Sequence, residues 1–232
     1  MKTSDPKIIV ALDYSDAKDV IRFADSVTPS LCRLKVGKEL FTHAGPEVVS
    51  DLIKKGFDIF LDLKFHDIPN TVSGAISVAA DMGVWMTDVH ASGGKRMMEE
   101  AKNTLEKNSS DMLLVAVTVL TSFSSDDLSD VGISLTPGEQ ALRLAVLAKN
   151  SGMDGVVSSV GEAKELRKAC GEDFILVTPG IRAIAAKSDD QRRIFTPSEA
   201  MASGSSYLVV GRPITQALNP AEALKLIIDE IS

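Results

Sequence analysis

Short apolar runs rich in β-branched residues alternate with amphipathic segments along the whole chain, and this alternation limits the fold more than any other feature. Parallel strands joined by helices produce it, because each strand is buried on both faces while each helix buries one stripe. The expected strands are 8–12, 33–36, 57–63, 85–89, 112–119, 155–158, 175–178 and 207–210. The first helix keeps Ala17, Val20, Ile21 and Ala24 on one face, with Ser15 or Asp16 as its cap. Further helices are expected at 45–54, from about 71 to 83, through Met97, Met98, Ala101 and Leu105, and at 138–150, 162–170 and 197–203. A last helix, capped by Asn219 with Pro220 in its first turn, buries Ala221, Leu224, Ile227, Ile228 and Ile231. A polar loop spans 122–134, and a long connection at 180–195 has the length of a lid, although 183–187 also suits a short solvated helix.

Eight such units in 232 residues average about 29 residues each, near the roughly 30 of a minimal strand–helix repeat. A single α/β domain, a (β/α)8 TIM barrel over residues 1–232, is the economical reading. A doubly wound open sheet is the rival, since periodicity does not report closure. Both architectures bind ligands at the carboxyl ends of their strands.

A net charge of -7 and a pI near 5.0 repel nucleic acid and anionic lipid, so an anionic ligand must be held by local cations. Cys32 and Cys170 show no paired spacing, which suits a reducing compartment and buried packing. The apolar run at 8–12 ends at Asp13, and no later segment has the length to span a bilayer. A cytoplasmic protein without membrane or nucleic-acid partners is expected.

The expected strands end in Asp13, Lys35, Asp62 with Lys64, Asp88 with His90, Thr121 with Ser122, Ser158, Gly180 with Arg182, and Gly211 with Arg212. Any one of these suits a helix cap or a rim ion pair, whereas together they describe a lined pocket. The stretch 62–71 concentrates two carboxylates, an ammonium and an imidazole; on an extended chain Asp62 and Lys64 project to the same side. Gly180-Ile181-Arg182 and Gly211-Arg212 follow the last two strands, where barrels commonly hold phosphate, and Gln191 lies in the long connection. His43, His66 and His90 have no short ligand spacing, so no metal is expected, although Asp88 and His90 share a strand face from which they could ligate one. Walker, dinucleotide-binding, nucleophile-elbow and CxxC motifs are absent.

These motifs resemble the bacterial orotidine 5′-phosphate decarboxylase family: Val-Ala-Leu-Asp at 10–13, Leu-Lys-Val-Gly at 34–37, the stretch 62–71, Val-His-Ala-Ser-Gly-Gly at 89–94, Leu-Thr-Ser at 120–122, Thr-Pro-Gly-Ile-Arg at 178–182, Asp-Gln-Arg-Arg at 190–193 and Val-Gly-Arg-Pro at 210–213. The resemblance implies cofactor-free decarboxylation, with Lys64 as proton donor and Lys35, Asp62 and Asp67 completing an alternating charge array. It implies a homodimer in which Asp67 and Thr71 enter the neighbouring subunit's site. It further implies ribose contacts from Asp13 and Lys35, base contacts around Thr121 and Ser122, and phosphate contacts from Gln191, Gly211 and Arg212 with Arg182 nearby. The chain departs from that pattern at Ala183, where many relatives carry proline, and at Ser206, where they often carry an acid. Two other classes remain open: a magnesium-dependent sugar-phosphate decarboxylase or aldolase of the same barrel group, and a silent nucleotide-binding module.

Overall fold

The computed structural model describes residues 5–181 and 195–232. Eight parallel strands close into a barrel in the order in which they occur in the chain, and β1 (Ile8–Ala11) seals it against β8 (Tyr207–Val210) with Val10 opposite Val210. Between them run α1 (Ala17–Ser26), β2 (Arg33–Gly37), α2 (Lys38–Ala44), α3 (Glu47–Lys54), β3 (Ile59–Phe65), α4 (Pro69–Asp81), β4 (Met86–His90), α5 (Lys95–Lys107) and β5 (Leu113–Val117). The second half adds α6 (Ser125–Asp130), α7 (Pro137–Asn150), β6 (Gly155–Val157), α8 (Val160–Cys170), β7 (Ile175–Thr178) and α9 (Pro197–Ala202); α10 (Arg212–Thr215) and α11 (Pro220–Glu230) follow β8. The open-sheet alternative is therefore excluded.

Strand side chains divide between two apolar clusters. Ile9, Ala11, Phe60, Met86, Val115, Val177 and Val209 fill the barrel, while the other parity, with Ile8, Val10, Leu34 and Leu61, packs against the helices. At the amino-terminal end Arg33 is buried, its guanidinium 3.9 Å from the Trp85 ring centroid and 2.8 Å from an Asp5 carboxylate oxygen. The barrel is closed below by this stacked cation and is lined by polar groups above.

Local chemistry accounts for the differences from expectation. The second helical region is two helices, because Gly45 takes φ 70 and Pro46 follows, and the new piece, α2, starts directly at the end of β2. The polar loop contains α6, built on a capping box between Ser124 and Asp127. Pro69 opens α4 rather than preceding it. Ala221 is exposed instead of buried, since α11 reaches the core only from Leu224 onward. Ser206, in place of an acid, accepts from the Leu176 N–H and the Arg167 guanidinium at 3.0 and 3.2 Å. Ile181 bridges Phe195; the lid reading, the helix at 183–187 and Ala183 lie outside the described residues. Among the described residues no helix is long and apolar enough to cross a membrane.

Gly155 opens the three-residue β6 so tightly against β7 that an added Cβ would collide with the Ile175 carbonyl oxygen and stand 2.5 Å from the Ile175 Cβ. Gly155→Ala should cost about 1–3 kcal/mol of stability by overpacking, read as a lower urea midpoint with unchanged m-value; an unchanged midpoint would contradict this packing.

Candidate active site

A cavity of about 600 Å³ opens at the carboxyl ends of the strands. Its apolar floor is formed by Ala11, Phe60, Val117, Val157 and Val209, which continue the inner barrel layer. Asp13, Lys35, Asp62 and Lys64 line it from β1 to β3, Thr121 and Ser122 from the end of β5, and Gly211 and Arg212 from the end of β8. With Ser158 and Gly180, ten sequence-expected positions therefore converge on one cavity. Gly211 packs closely there, since a Cβ on it would lie 3.2 Å from an Asp13 carboxylate oxygen.

Asp62 is the electrostatic centre. One carboxylate oxygen lies 2.9 Å from the Lys35 ammonium and the other pairs with the Lys64 ammonium. Burial opposes ionisation of Asp62, but Lys35, a hydrogen bond with Asp88 and Lys64 together hold its carboxyl well below the usual range. Burial likewise opposes the charge of Lys35, yet Asp62 and Asp13 outweigh it and raise its pKa. Both members of this pair stay charged although Lys35 is only 9% exposed.

The backbone beneath these groups is irregular, which corrects the expectation of a simply extended stretch. β3 starts at Ile59, not 57, and runs on to Phe65. Its pairing with β4 is regular at Leu61–Thr87 and resumes at Phe65–Val89, so Asp62, Leu63 and Lys64 all face Asp88. Lys64 itself adopts φ 52, a left-handed conformation that is strained for a side-chain-bearing residue, and its N–H donates to an Asp88 carboxylate oxygen at 2.7 Å. The bulge, rather than strand alternation, aims Lys64 at Asp62.

Asp88 and His90 do not form the two-ligand face considered from sequence. Asp88 turns to β3, whereas the His90 ring lies 5.5 Å from that of His66. Among the described residues no three His, Cys, Asp or Glu side chains cluster as metal ligands. Asp67 and Thr71 are exposed on the loop after β3 and the first turn of α4 and do not line the cavity; the Asp67 carboxylate accepts from the Ile68 N–H at 2.6 Å. Arg182 and Gln191 lie outside the described residues. Sequence reasoning missed Gln216, which lines the cavity one helical turn after Arg212, a spacing that could have pointed to it. Ser158 also lines the cavity, and its buried hydroxyl has no hydrogen-bond partner among the described residues.

Burial, followed by the nearby His66, Lys64 and Lys38, lowers the His90 pKa from 6.5 to about 4. The fold therefore favours neutral imidazole, and this contribution to stability is complete above pH 6.5 and is lost as pH falls through about 4. His90→Gln should flatten the decline of the thermal midpoint across that window; an unaltered slope would show that His90 does not contribute to it.

Comparison with known proteins gives a consistent picture. The family described as "Orotidine 5'-phosphate decarboxylase / HUMPS family" matches residues 6–227. The orotidine 5′-phosphate decarboxylase of Psychromonas ingrahamii is 58% identical over 228 residues, covering 98% of this chain and 97% of that protein. The Haemophilus influenzae enzyme of the same name is 60% identical over 222 residues, 95% and 96% of the two chains. Among solved structures, that of orotidine 5′-phosphate decarboxylase from Lactobacillus acidophilus superposes with a TM-score of 0.88 at 41% identity, covering 98% of this chain and 100% of that one.

Proposed function

This chain belongs to the orotidine 5′-phosphate decarboxylase / HUMPS family, and from that membership we propose that it decarboxylates orotidine 5′-monophosphate to uridine 5′-monophosphate, the last step of de novo pyrimidine nucleotide synthesis. It is on this reading a carbon–carbon lyase. The observation that carries the proposal is the Asp62 carboxylate held between the Lys35 and Lys64 ammonium groups at the cavity wall.

The reaction breaks the bond between the pyrimidine ring and the carboxylate, and the electron pair stays on the ring carbon as carbon dioxide departs. That pair lies in the ring plane, where the π system does not delocalise it, so a fixed positive charge is the available stabilisation. Lys64 supplies the charge, gives an Nζ proton to the carbon and is reprotonated from solvent. Asp62 orients Lys64, and its own charge opposes the substrate carboxylate until carbon dioxide leaves. Asp13 and Lys35 suit the ribose, Thr121 and Ser122 the base, and Gly211 and Arg212 the phosphate, with Arg182 and Gln191 assigned to the same end. These remote contacts supply binding energy that can be used at the reacting carbon.

The active protein is a homodimer with shared sites. Asp67 and Thr71 are exposed, do not line their own cavity and flank Ile68, which is 66% exposed, an arrangement that supports their reaching a second copy's site as the fourth charge and a further contact. On this reading the protein works in the cytoplasm without organic cofactor; it also needs no metal, because the Lys35 ammonium, 2.9 Å from Asp62, opposes a divalent cation at that carboxylate.

Lys64→Ala should lower turnover by at least about 10⁴-fold while leaving a folded protein with a near-native thermal midpoint. The assay is the loss of ultraviolet absorbance as orotidine monophosphate becomes uridine monophosphate, and substantial residual turnover would sink the assignment. Wild-type activity should also survive exhaustive chelation; a loss restored by magnesium would favour the metal-dependent sugar-phosphate class, and affinity without turnover would indicate a binding module.

A further inference from the structure

We propose that Asp88 is a positioning residue for Lys64: its carboxyl closes the β3 bulge by accepting the Lys64 backbone N–H, and so fixes the direction in which the Lys64 ammonium points. This inference rests on the decarboxylase reading of the site.

Three observations converge on it. Within the barrel ladder, three residues of β3, Asp62 to Lys64, oppose the single residue Asp88 between two regular pairs. Such a bulge removes backbone partners, and an unsatisfied N–H in a barrel wall is costly, so a side-chain acceptor must replace the missing carbonyl. Asp88 does so at 2.7 Å and is itself only 1% exposed. Next, the residue whose N–H it accepts is one of two non-glycine residues with positive φ among the described residues. Left-handed backbone persists on a lysine only where its surroundings enforce it. Beside it, Thr87 donates its hydroxyl to the Leu61 carbonyl oxygen at 2.8 Å, so adjacent β4 side chains tie both the last regular residue of β3 and the bulge itself.

Asp88 also hydrogen-bonds the Asp62 carboxyl, and two carboxyls in contact share a proton. Burial first, and then the Asp62 charge, hold the Asp88 carboxyl well above the usual range, while Asp62 keeps its negative charge beside two ammonium groups. Asp88 thus acts as donor to Asp62 and acceptor from the Lys64 backbone. It does not line the cavity, and its effect passes through Lys64 and Asp62. An asparagine can reproduce both hydrogen bonds, whereas alanine or leucine can reproduce neither.

Wild-type protein, Asp88→Asn, Asp88→Ala and Asp88→Leu should be compared by steady-state decarboxylation and by amide hydrogen exchange at Lys64. Asp88→Ala and Asp88→Leu should lose about 100-fold in kcat with KM little changed, and Lys64 amide protection should fall by at least about tenfold. Asp88→Asn should recover most of both. A folded Asp88→Leu with wild-type kcat and wild-type Lys64 protection would overturn the proposal, as would losses in Asp88→Asn equal to those in Asp88→Ala. Should neither apolar variant fold, Asp88→Asn decides alone: retained kcat and protection support the proposal, and loss of either contradicts it. Absence of turnover in the wild type would remove the decarboxylase reading, and the exchange measurement would still decide whether Asp88 holds Lys64.

Discussion

One carboxylate, Asp62, stands between two ammonium groups inside a barrel wall, and the surrounding structure is arranged so that this cluster persists. Lys35 is carried by β2 and Asp62 by β3, and the parallel register that sets Gly37 opposite Asp62 brings their side chains together. Removed from water, such charges attract one another by about 4 kcal/mol at 4 Å for an effective dielectric near 20, while their desolvation costs a comparable amount. The cluster therefore adds little net stability, and catalysis is the better account of its presence. The layers below it, from Arg33 under the barrel to Phe60 at the cavity floor, provide the rigid base on which these three charged groups are held.

The same economy explains the bulge in β3. A regular strand would place the lysine by alternation, with its N–H paired across the sheet. Here the chain gains extra residues between Leu61 and Phe65, the Lys64 backbone turns left-handed, and Asp88 accepts the displaced N–H. The irregularity coincides with the residues assigned to chemistry, where stored backbone strain of about 1–3 kcal/mol is tolerated because the surrounding ladder fixes it.

Much of this architecture was legible in the sequence. Period and length of the apolar runs are dictated by two-sided burial, so β1, β4, β7 and β8 fall close to their expected ranges, and the number of units pointed to a barrel. The polar site positions were legible because polar residues abruptly follow apolar ones, but only Asp13 lies beyond its strand, whereas Lys35 falls inside β2 and Asp62 inside β3. What escaped were features determined by contacts between strands. The β3 bulge depends on pairing with β4, and no one-dimensional pattern encodes it. For the same reason Asp88 read as a possible metal ligand beside His90 rather than as a partner of Lys64. The helices α2 and α6 are short, so capping and glycine geometry outweigh the weak periodic signal they carry. Asp67 and Thr71 could be placed on the chain but do not line its cavity, and their assignment to a second copy's site is part of the proposed function.

On the proposed reading the stretch 62–71 divides into two half-sites: Asp62 and Lys64 would serve the cavity of their own chain, and Asp67 to Thr71 that of a second copy. Subunit exchange between two inactive variants, Lys64→Ala and Asp67→Ala, tests this division most directly. Each heterodimer contains one cavity with an intact Lys64 and an intact incoming Asp67, so random mixing should restore about a quarter of wild-type turnover. No recovery after verified exchange would contradict the shared site and the charge array built on it.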